Sequence, residues 1–549
     1  MAGRAVGRSG SAIDRRSFLR LLGGAAGLSL GGCALGVRTV AVEAAPQGTT
    51  LLIGANLVMK SLDPGRTIEA SAWTFNHATY DSLVTFDGED LKTPKPSLAT
   101  GWKVTPDGRT YTFTLRPNVR FVSGNPLTSA DVKWSLDRVI HLNATTKYLI
   151  EGIEEVQAPD PRTVVIRLAA SKPSIIPILS NPSLGVLDSK VVMENGGDAG
   201  PDAKTKDKAE PYLLSTSPGT GAFILTSYTP NQEVVLVKNP NHWRGAPKID
   251  RIVSRHIAEP ATHQLQVQRG DLDVTTGIGP DQAQALKTAQ GVTVRTSLIA
   301  NTFYVLMNNN PEVGGAFANP KVQQAVRYAL DYQGIMAIAG PGALRLAGII
   351  PTTFPGSLDS REAVRTDRDK ARALLREANL GEVKGRITYG AGDTSWGVQI
   401  DLLVQKIQTD LNAVGMKIDL NGLAHLTALQ EYRDGKNQIG VWGWTADWAD
   451  PDDFLVYLPG RTVGKRAGWP ADASPAAREL AKMGDEAERE VDQRKRVAFF
   501  QRIDRRIAEI GPYAPLFQPA IPFAFRSNVR GVTFNSVWGL DLSTITKTG

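Results

Sequence analysis

Residues 98–140, LATGWKVTPDGRTYTFTLRPNVRFVSGNPLTSADVKWSLDRVI, place three local structure signals in direct succession. Pro106-Asp107-Gly108 is a turn tripeptide. Its proline presets φ and its glycine accepts positive φ, so the segment from Trp102 onward reads as a hairpin. Tyr111, Phe113 and Leu115 alternate with Thr110, Thr112 and Thr114, the period of a half-buried strand. Arg116-Pro117 ends the ladder, because proline has no N–H to donate. Thr128-Ser-Ala-Asp131 reads as a capping-box-like helix start, with Asp131 reaching back to the first turn. Val132, Leu136, Val139 and Ile140 then fall at i, i+4, i+7 and i+8, which predicts a helix that buries this face and leaves Lys133, Asp137 and Arg138 in water.

Periodicity alone says strand, turn and capped helix. The particular order of residues, W-x-V-x-x-D-G-x-T-Y-T-F-x-L-R followed by G-x-P-L-T-x-x-D-V, resembles the signature of the family 5 extracellular solute-binding proteins, the peptide, oligopeptide and nickel receptors of ABC importers. Further stretches resemble that family in its own order: Ser61-Leu62-Asp63-Pro64 with Tyr80-Asp81-Ser82-Leu83-Val84, then Gly219 to Leu225, Asn239 to Trp243, Gln268 to Val274, and Asn319-Pro320 with its helix. The resemblance runs from about residue 50 to the C-terminus. It implies an α/β chain with the two-lobed periplasmic-binding-protein type II fold, an extra subdomain of the cluster C-like kind, and a ligand cleft between the lobes. It also implies discontinuous domains: lobe I from 49–77, 214–300 and 515–549, a subdomain from 78–213, and lobe II from 301–514.

At 549 residues the chain is too long for one core, and 42% hydrophobic composition fills two or three. Of the net charge of +7, +4 lies in the first 32 residues, leaving a dispersed excess that is no footprint for nucleic acid. Asp14-Arg15-Arg16-Ser17-Phe18-Leu19-Arg20 resembles a twin-arginine export signal. The apolar run after it, Leu21 to Gly32, falls short of the ~20 residues a bilayer span requires. Leu30-Gly31-Gly32-Cys33 resembles a lipobox in which Cys33 is the lipidated first residue of the mature chain, with 34–48 as tether; the alternative is a leader cut near Ala44 or Ala45. A single cysteine excludes an internal disulfide, and lipidation would account for its solitude. Together these features imply an exported, lipid-anchored monomer at the outer face of the cytoplasmic membrane or in the periplasm. The polar stretch from Val191 to Gly219 reads as an exposed loop, and Gly219 and Gly221 as a tight turn entering a strand, since neither phosphate-loop motif is completed.

The candidate site is Gly440-Val-Trp-Gly-Trp-Thr-Ala-Asp-Trp-Ala-Asp-Pro-Asp-Asp-Phe454. Trp442, Trp444 and Trp448 surround Asp447; ring faces attract a cation and a carboxylate adds a charge-assisted hydrogen bond once water is expelled. The resemblance assigns Asp447 to a peptide ligand's α-ammonium and Trp444 to a side-chain pocket, with Thr445 and Trp448 beside them. It also implies that the segment Leu57 to Lys60, with Met59, holds ligand through its backbone; the plain reading of Met59 is a core filler. Asp450 to Asp453 read as a helix cap, above all Asp452 and Asp453, and Asp447 has the competing reading of a structural acceptor.

Dipeptide receptors of the family carry an arginine for the ligand carboxylate in the stretch matching Tyr389 to Gly397. This chain has none there, and Trp396 is left to pack on a longer or less anionic ligand, or simply on the core. The six histidines, His77, His141, His242, His256, His263 and His425, show no paired metal-ligand spacing, so neither metal nor cofactor is expected. An enzyme reading has little to stand on. Gly27-Leu-Ser-Leu-Gly31 satisfies G-x-S-x-G inside the leader, where no strand or helix of a hydrolase sheet is available. Paired acids such as Asp447 and Asp450 would suit a glycoside hydrolase, but the whole-chain resemblance argues for capture. The expected function is therefore capture of a peptide or peptide-like amine for an ABC permease. A sugar, opine-like compound or metal chelate, a secreted hydrolase, and a sensing or scaffolding role stand as alternatives.

Overall fold

The computed structural model describes residues 48–548, so Arg15, Arg16, Cys33 and most of the tether lie outside the described residues. Three sheets organise the rest. In the seven-stranded sheet, Thr50–Ala55 runs parallel to Arg251–His256 on one side and to Val274–Thr275 on the other. Glu233–Lys238 and Phe223–Thr229 extend it beyond Arg251–His256, while Ala520–Arg526 and Val292–Leu298 extend it beyond Val274–Thr275, all antiparallel. The six-stranded sheet is ordered Leu344–Arg345, Tyr513–Gln518, Asn301–Met307, Ile439–Thr445, Lys384–Gly390 and Lys417–Leu423. Its strand Asn301–Met307 is buried along its whole length: Phe303, Val305 and Met307 enter one core, Tyr304 and Leu306 another. That requires the near-continuous apolar run the sequence carries there, since a sheet covered on both faces has no polar side.

The chain crosses between these sheets at two adjacent places, Leu298 to Asn301 and Gln518 to Ala520. The crossings are tied together, Ile299 N–H donating to the Pro519 carbonyl (3.0 Å) and the Gln518 amide to the Ile299 carbonyl (2.9 Å). Two short paired connections between two lobes form a hinge of the kind that permits domain closure.

The hairpin forms as the sequence requires. Ala99–Val104 pairs with Thr110–Leu115 around Gly108, whose φ is 65°, and Tyr111, Phe113 and Leu115 are buried. Thr163–Leu168 and Ile153–Asp160 complete a four-stranded antiparallel sheet. The helix is Ser129–Leu142, and the Asp131 carboxylate takes the N–H of Thr128 at 2.9 Å. Arg138 departs from the expectation of a wet face. It is wholly buried, with its fork donating to Asp63 (2.8 and 2.7 Å) and to Asp207 (2.8 and 2.9 Å). Asp131, Ser135, Arg138 and Leu142 form a second buried stripe on this helix, covered by segments that its own periodicity does not announce.

Asp207 also corrects the reading of 191–219 as a loop. The segment contains the short helices Ser189–Glu194, Ala203–Lys206 and Glu210–Leu213, folded down on the Arg138 ion pair, while Lys204, Lys206 and Lys208 face solvent as expected. Gly219 and Gly221 are needed for close approach: a Cβ on either would fall against the backbone of Thr79, well inside van der Waals contact.

Candidate ligand site at the hinge

Strand Ile439–Thr445 ends beside the hinge, and the next residue, Ala446, donates its N–H to the Ala300 carbonyl at 2.7 Å. The strand's two-residue period sends Trp442 and Trp444 to one face and Val441 and Thr445 to the other. The expected site residues are therefore divided. Trp442 is structural, stacked on Tyr432 with centroids 4.4 Å apart and donating to Asn437 at 2.9 Å. Trp444 packs on the same core, and its indole N–H reaches Asp453 Oδ2 at 3.2 Å. Thr445, on the opposite face, accepts from Asn301 (2.7 Å) and from the Trp396 indole (3.2 Å).

Asp447 and Trp448 follow in an irregular turn braced by the other acids. Asp453 Oδ2 accepts the Asp447 N–H at 3.0 Å, and Asp452 Oδ1 accepts the Trp448 indole N–H at 2.6 Å. Only Asp450 caps, taking the Asp452 N–H at 2.9 Å at the start of the 3-10 helix Pro451–Tyr457. Asp452 and Asp453 are thus not caps but acceptors that fix the two tryptophans and the Asp447 backbone. Arg496 supplies the positive charge beneath them, bidentate on Asp450 at 2.7 and 2.6 Å and 3.6 Å from Asp452.

Three residues that local sequence reasoning did not find come from the subdomain. Asn181 donates to the Asp447 carbonyl at 2.9 Å. The Tyr148 hydroxyl faces the Asp447 carboxylate, and its ring lies 6.5 Å from that of Trp448. Lys172 Nζ stands 5.7 Å from the Trp448 ring centroid. Nothing in the sequence near Tyr148, Lys172 or Asn181 marks them; the fold brings them there.

The electrostatics single out one group. Burial pushes the Asp447 carboxyl up to about 6, opposed only by the Tyr148 hydroxyl, with no cationic side chain among the described residues contributing. Burial, with the Asp450 charge and against the pull of Arg496, raises Asp452 to about 7. Asp453 is held well above the carboxylate range by burial and by the neighbouring Asp447. A partly buried carboxylate with no cation beside it is costly to keep ionised, and among these acids Asp447 alone is in that position.

Met59 stands apart from this group. Its side chain lies in the core of the first lobe, and its carbonyl takes the Tyr228 hydroxyl at 2.9 Å. Its neighbours' backbone groups are also engaged, Leu57 N–H with His256 (3.0 Å) and the Val58 carbonyl with Ser71 (2.7 Å). Trp396 faces a separate cavity in the first lobe while touching the cores of both lobes. Among the described residues no cluster of His, Cys, Asp and Glu is arranged to hold a metal, and no helix is long and apolar enough to cross a membrane.

Comparison with known proteins agrees with this architecture. The family model for bacterial extracellular solute-binding proteins, family 5 Middle, matches residues 93–465. A relative, the probable D,D-dipeptide-binding periplasmic protein DdpA of Escherichia coli, is 27% identical over 490 residues, covering 88% of this chain and 91% of its own. Di/tripeptide-binding protein 2 of Pseudomonas aeruginosa is 25% identical over 538 residues, covering 92% and 96%. The crystal structure of the ABC transporter substrate-binding protein CtaP from Listeria monocytogenes superposes with a TM-score of 0.79 at 20% identity, covering 91% of this chain and all of that one, which establishes the shared fold. With the match spanning well over half its length, this chain belongs to the family 5 extracellular solute-binding proteins of ABC importers.

Proposed function

We propose that the chain captures a small peptide or peptide-like amine between its two lobes and delivers it to the permease of an ABC importer. The observation that carries this reading is Asp447, a partly buried carboxylate whose pKa is pushed up by desolvation and beside which no cation stands. An ammonium entering beside Tyr148 would supply the missing charge in a site from which closure expels water, where the contact is strongest. Trp444 and Trp448 would wall the ligand on one side, with Thr445 and Trp396 across the strand end; Met59 would contribute only through its backbone segment. Relatives named for binding dipeptides and tripeptides support the ligand class.

In this reading lobe I comprises 49–77, 214–300 and 515–549, lobe II 301–514, and the subdomain 78–213 brings Tyr148, Lys172 and Asn181 to the mouth. The protein acts as a monomer in the periplasm or on the outer face of the membrane, exported through Arg15 and Arg16 and anchored at Cys33. It binds and releases its ligand without chemical change. A non-peptide amine is the second reading, favoured by the absence of any arginine between Tyr389 and Gly397.

Native mass spectrometry of residues 34–549, before and after unfolding and refolding to strip ligand, tests the proposal. A co-purified mass that fragments as a peptide or amine is expected, and it should be lost from Asp447→Asn purified in the same way. Retention of the same mass by Asp447→Asn would remove Asp447 from the site. Metabolic labelling with palmitate, abolished by Cys33→Ala, is expected for the anchor; equal labelling of the two would refute it.

A further inference from the structure

Gly108, at the tip of the hairpin, is buried, although Thr105, Pro106, Asp107 and Arg109 around it are exposed. A turn between two strands ordinarily lies in water, so a segment from outside the hairpin must cover this one. Two residues do. A Cβ on Gly108 would run into the Ser171 hydroxyl, from the same subdomain, and would fall 2.7 Å from Val491 Cγ1, which belongs to the 301–514 segment. Ser171 also donates its hydroxyl to the Arg489 carbonyl at 2.9 Å. Arg489 is the last residue of the helix Pro475–Arg489, and its carbonyl is among those that a helix end leaves without an intrahelical partner. The connection from Arg489 to Val491 thus offers a free acceptor and an apolar surface, and the subdomain brings a donor and a bare backbone to meet them.

This contact lies outside the hydrophobic cores. Between the hairpin and the helix Gln493–Ile510 is a cavity of about 670 Å³, with Trp102, Val104 and Tyr111 on the hairpin side and Pro355, Val491 and Val497 on the other. Val104 and Val491 are each 43% exposed. Walls of a permanent domain interface interdigitate at the density of a protein interior, and these do not. The chain passes from 78–213 to 301–514 only by way of 214–300 and the crossing at Leu298 to Asn301. Rotation about the paired crossings would therefore part Gly108 from Val491 and Ser171 from Arg489 without breaking a helix or a strand.

We propose that the hairpin turn is a latch for the closed form. As the lobes meet, Gly108 seats against Val491 and Ser171 caps the helix end at Arg489, so retention of the solute is set in part by a contact that never touches the solute. Gly108 is glycine for two reasons here, its φ of 65° and the absence of room for a Cβ in the latch. A single hydrogen bond with a small apolar contact biases a two-state equilibrium only a few-fold, which leaves the latch able to release. The proposal rests on the reading that the lobes close over a ligand. It does not depend on what that ligand is, or on Asp447.

Residues 34–549 contain no cysteine, so nitroxides at Lys103→Cys and Glu486→Cys, both exposed, report the separation of the subdomain from the helix that carries Arg489. Double electron–electron resonance is recorded on the protein as purified and after unfolding and refolding to strip ligand. The ratio of short to long distances should fall about threefold in Ser171→Ala and in Val491→Ser, and about tenfold in the double variant. Ser171→Thr, which keeps the hydroxyl, should hold the wild-type ratio. Melting temperatures should stay where they are, because both positions are partly exposed and lie outside the cores. A double variant that keeps the wild-type ratio overturns the latch, whether its melting temperature falls or not. Long distances alone in both wild-type samples would overturn lobe closure itself, and the capture reading with it; a wild type that closes no more readily than the variants overturns the latch and leaves that reading intact.

Discussion

Arg496 grips Asp450 through two hydrogen bonds of 2.7 and 2.6 Å, and Asp450 is the residue that caps the turn carrying Asp452 and Asp453. The long helix Gln493–Ile510 thereby anchors the acidic turn that in turn fixes Trp444, Asp447 and Trp448. Arg496→Met would leave Asp450 and Asp452 buried without a cation, at a cost of ~3–5 kcal/mol. The denaturant midpoint should fall accordingly, and Arg496→Lys, which keeps the charge without the fork, should lose less. A loss below ~1 kcal/mol for the methionine variant would contradict the anchoring role.

Asp453 Oδ2 holds two donors at once, the Asp447 N–H and the Trp444 indole. In Asp453→Ala both lose their acceptor, which costs ~1–3 kcal/mol and frees the two residues proposed to meet ligand. Calorimetry should show weaker ligand binding as well as lower stability. Unchanged affinity in a folded variant would mean that the turn does not need this brace.

Ligand affinity should depend on pH through Asp447. Without ligand its carboxyl titrates at about 6, and an ammonium beside it lowers that value in the complex. Above pH 6 the group is ionised in both states and affinity is flat. Below pH 6 the free protein must give up a proton to bind, so affinity falls as pH drops, approaching tenfold per unit. Titrations between pH 5 and 8 check this, and Asp447→Asn should show no such slope. A wild-type profile that is flat to pH 5 would argue against a cationic partner.

Arg138 is buried between Asp63 of the Leu62-Asp63-Pro64 segment and Asp207 of the polar stretch. Its removal in Arg138→Met takes away the buried fork and leaves both carboxylates to the partly exposed Arg66, 2.9 Å from Asp207 and 3.3 Å from Asp63, for an expected loss of ~3 kcal/mol. A helix with this residue on a wet face would lose almost nothing, so a melting experiment separates the two readings. Lys133→Met, on the partly exposed side of the same helix, serves as the control and should change stability by less than ~0.5 kcal/mol.

What a linear reading contains is local and serial: the hairpin around Gly108, the helix start at Asp131, the proline-led helix Pro320–Ala329, and the acidic tryptophan turn as the place to look. These depend on periodicity, caps and turn residues a few positions apart, which a linear reading contains in full. The motif order carried the family because it spans most of the chain. Only the tertiary structure decided what those residues touch. Asn181 reaches Asp447 across 266 positions, Arg138 reaches Asp207 across 69, and Tyr148 meets Asp447 from another sheet's neighbourhood. Asp452 and Asp453 are ordinary cap residues until two indoles arrive to be accepted. A charge or a hydroxyl has the same letter whether it is wet, paired or stranded. Its burial and its partner are set by distant segments that share no short-range pattern with it, and those two quantities fix what a site can bind.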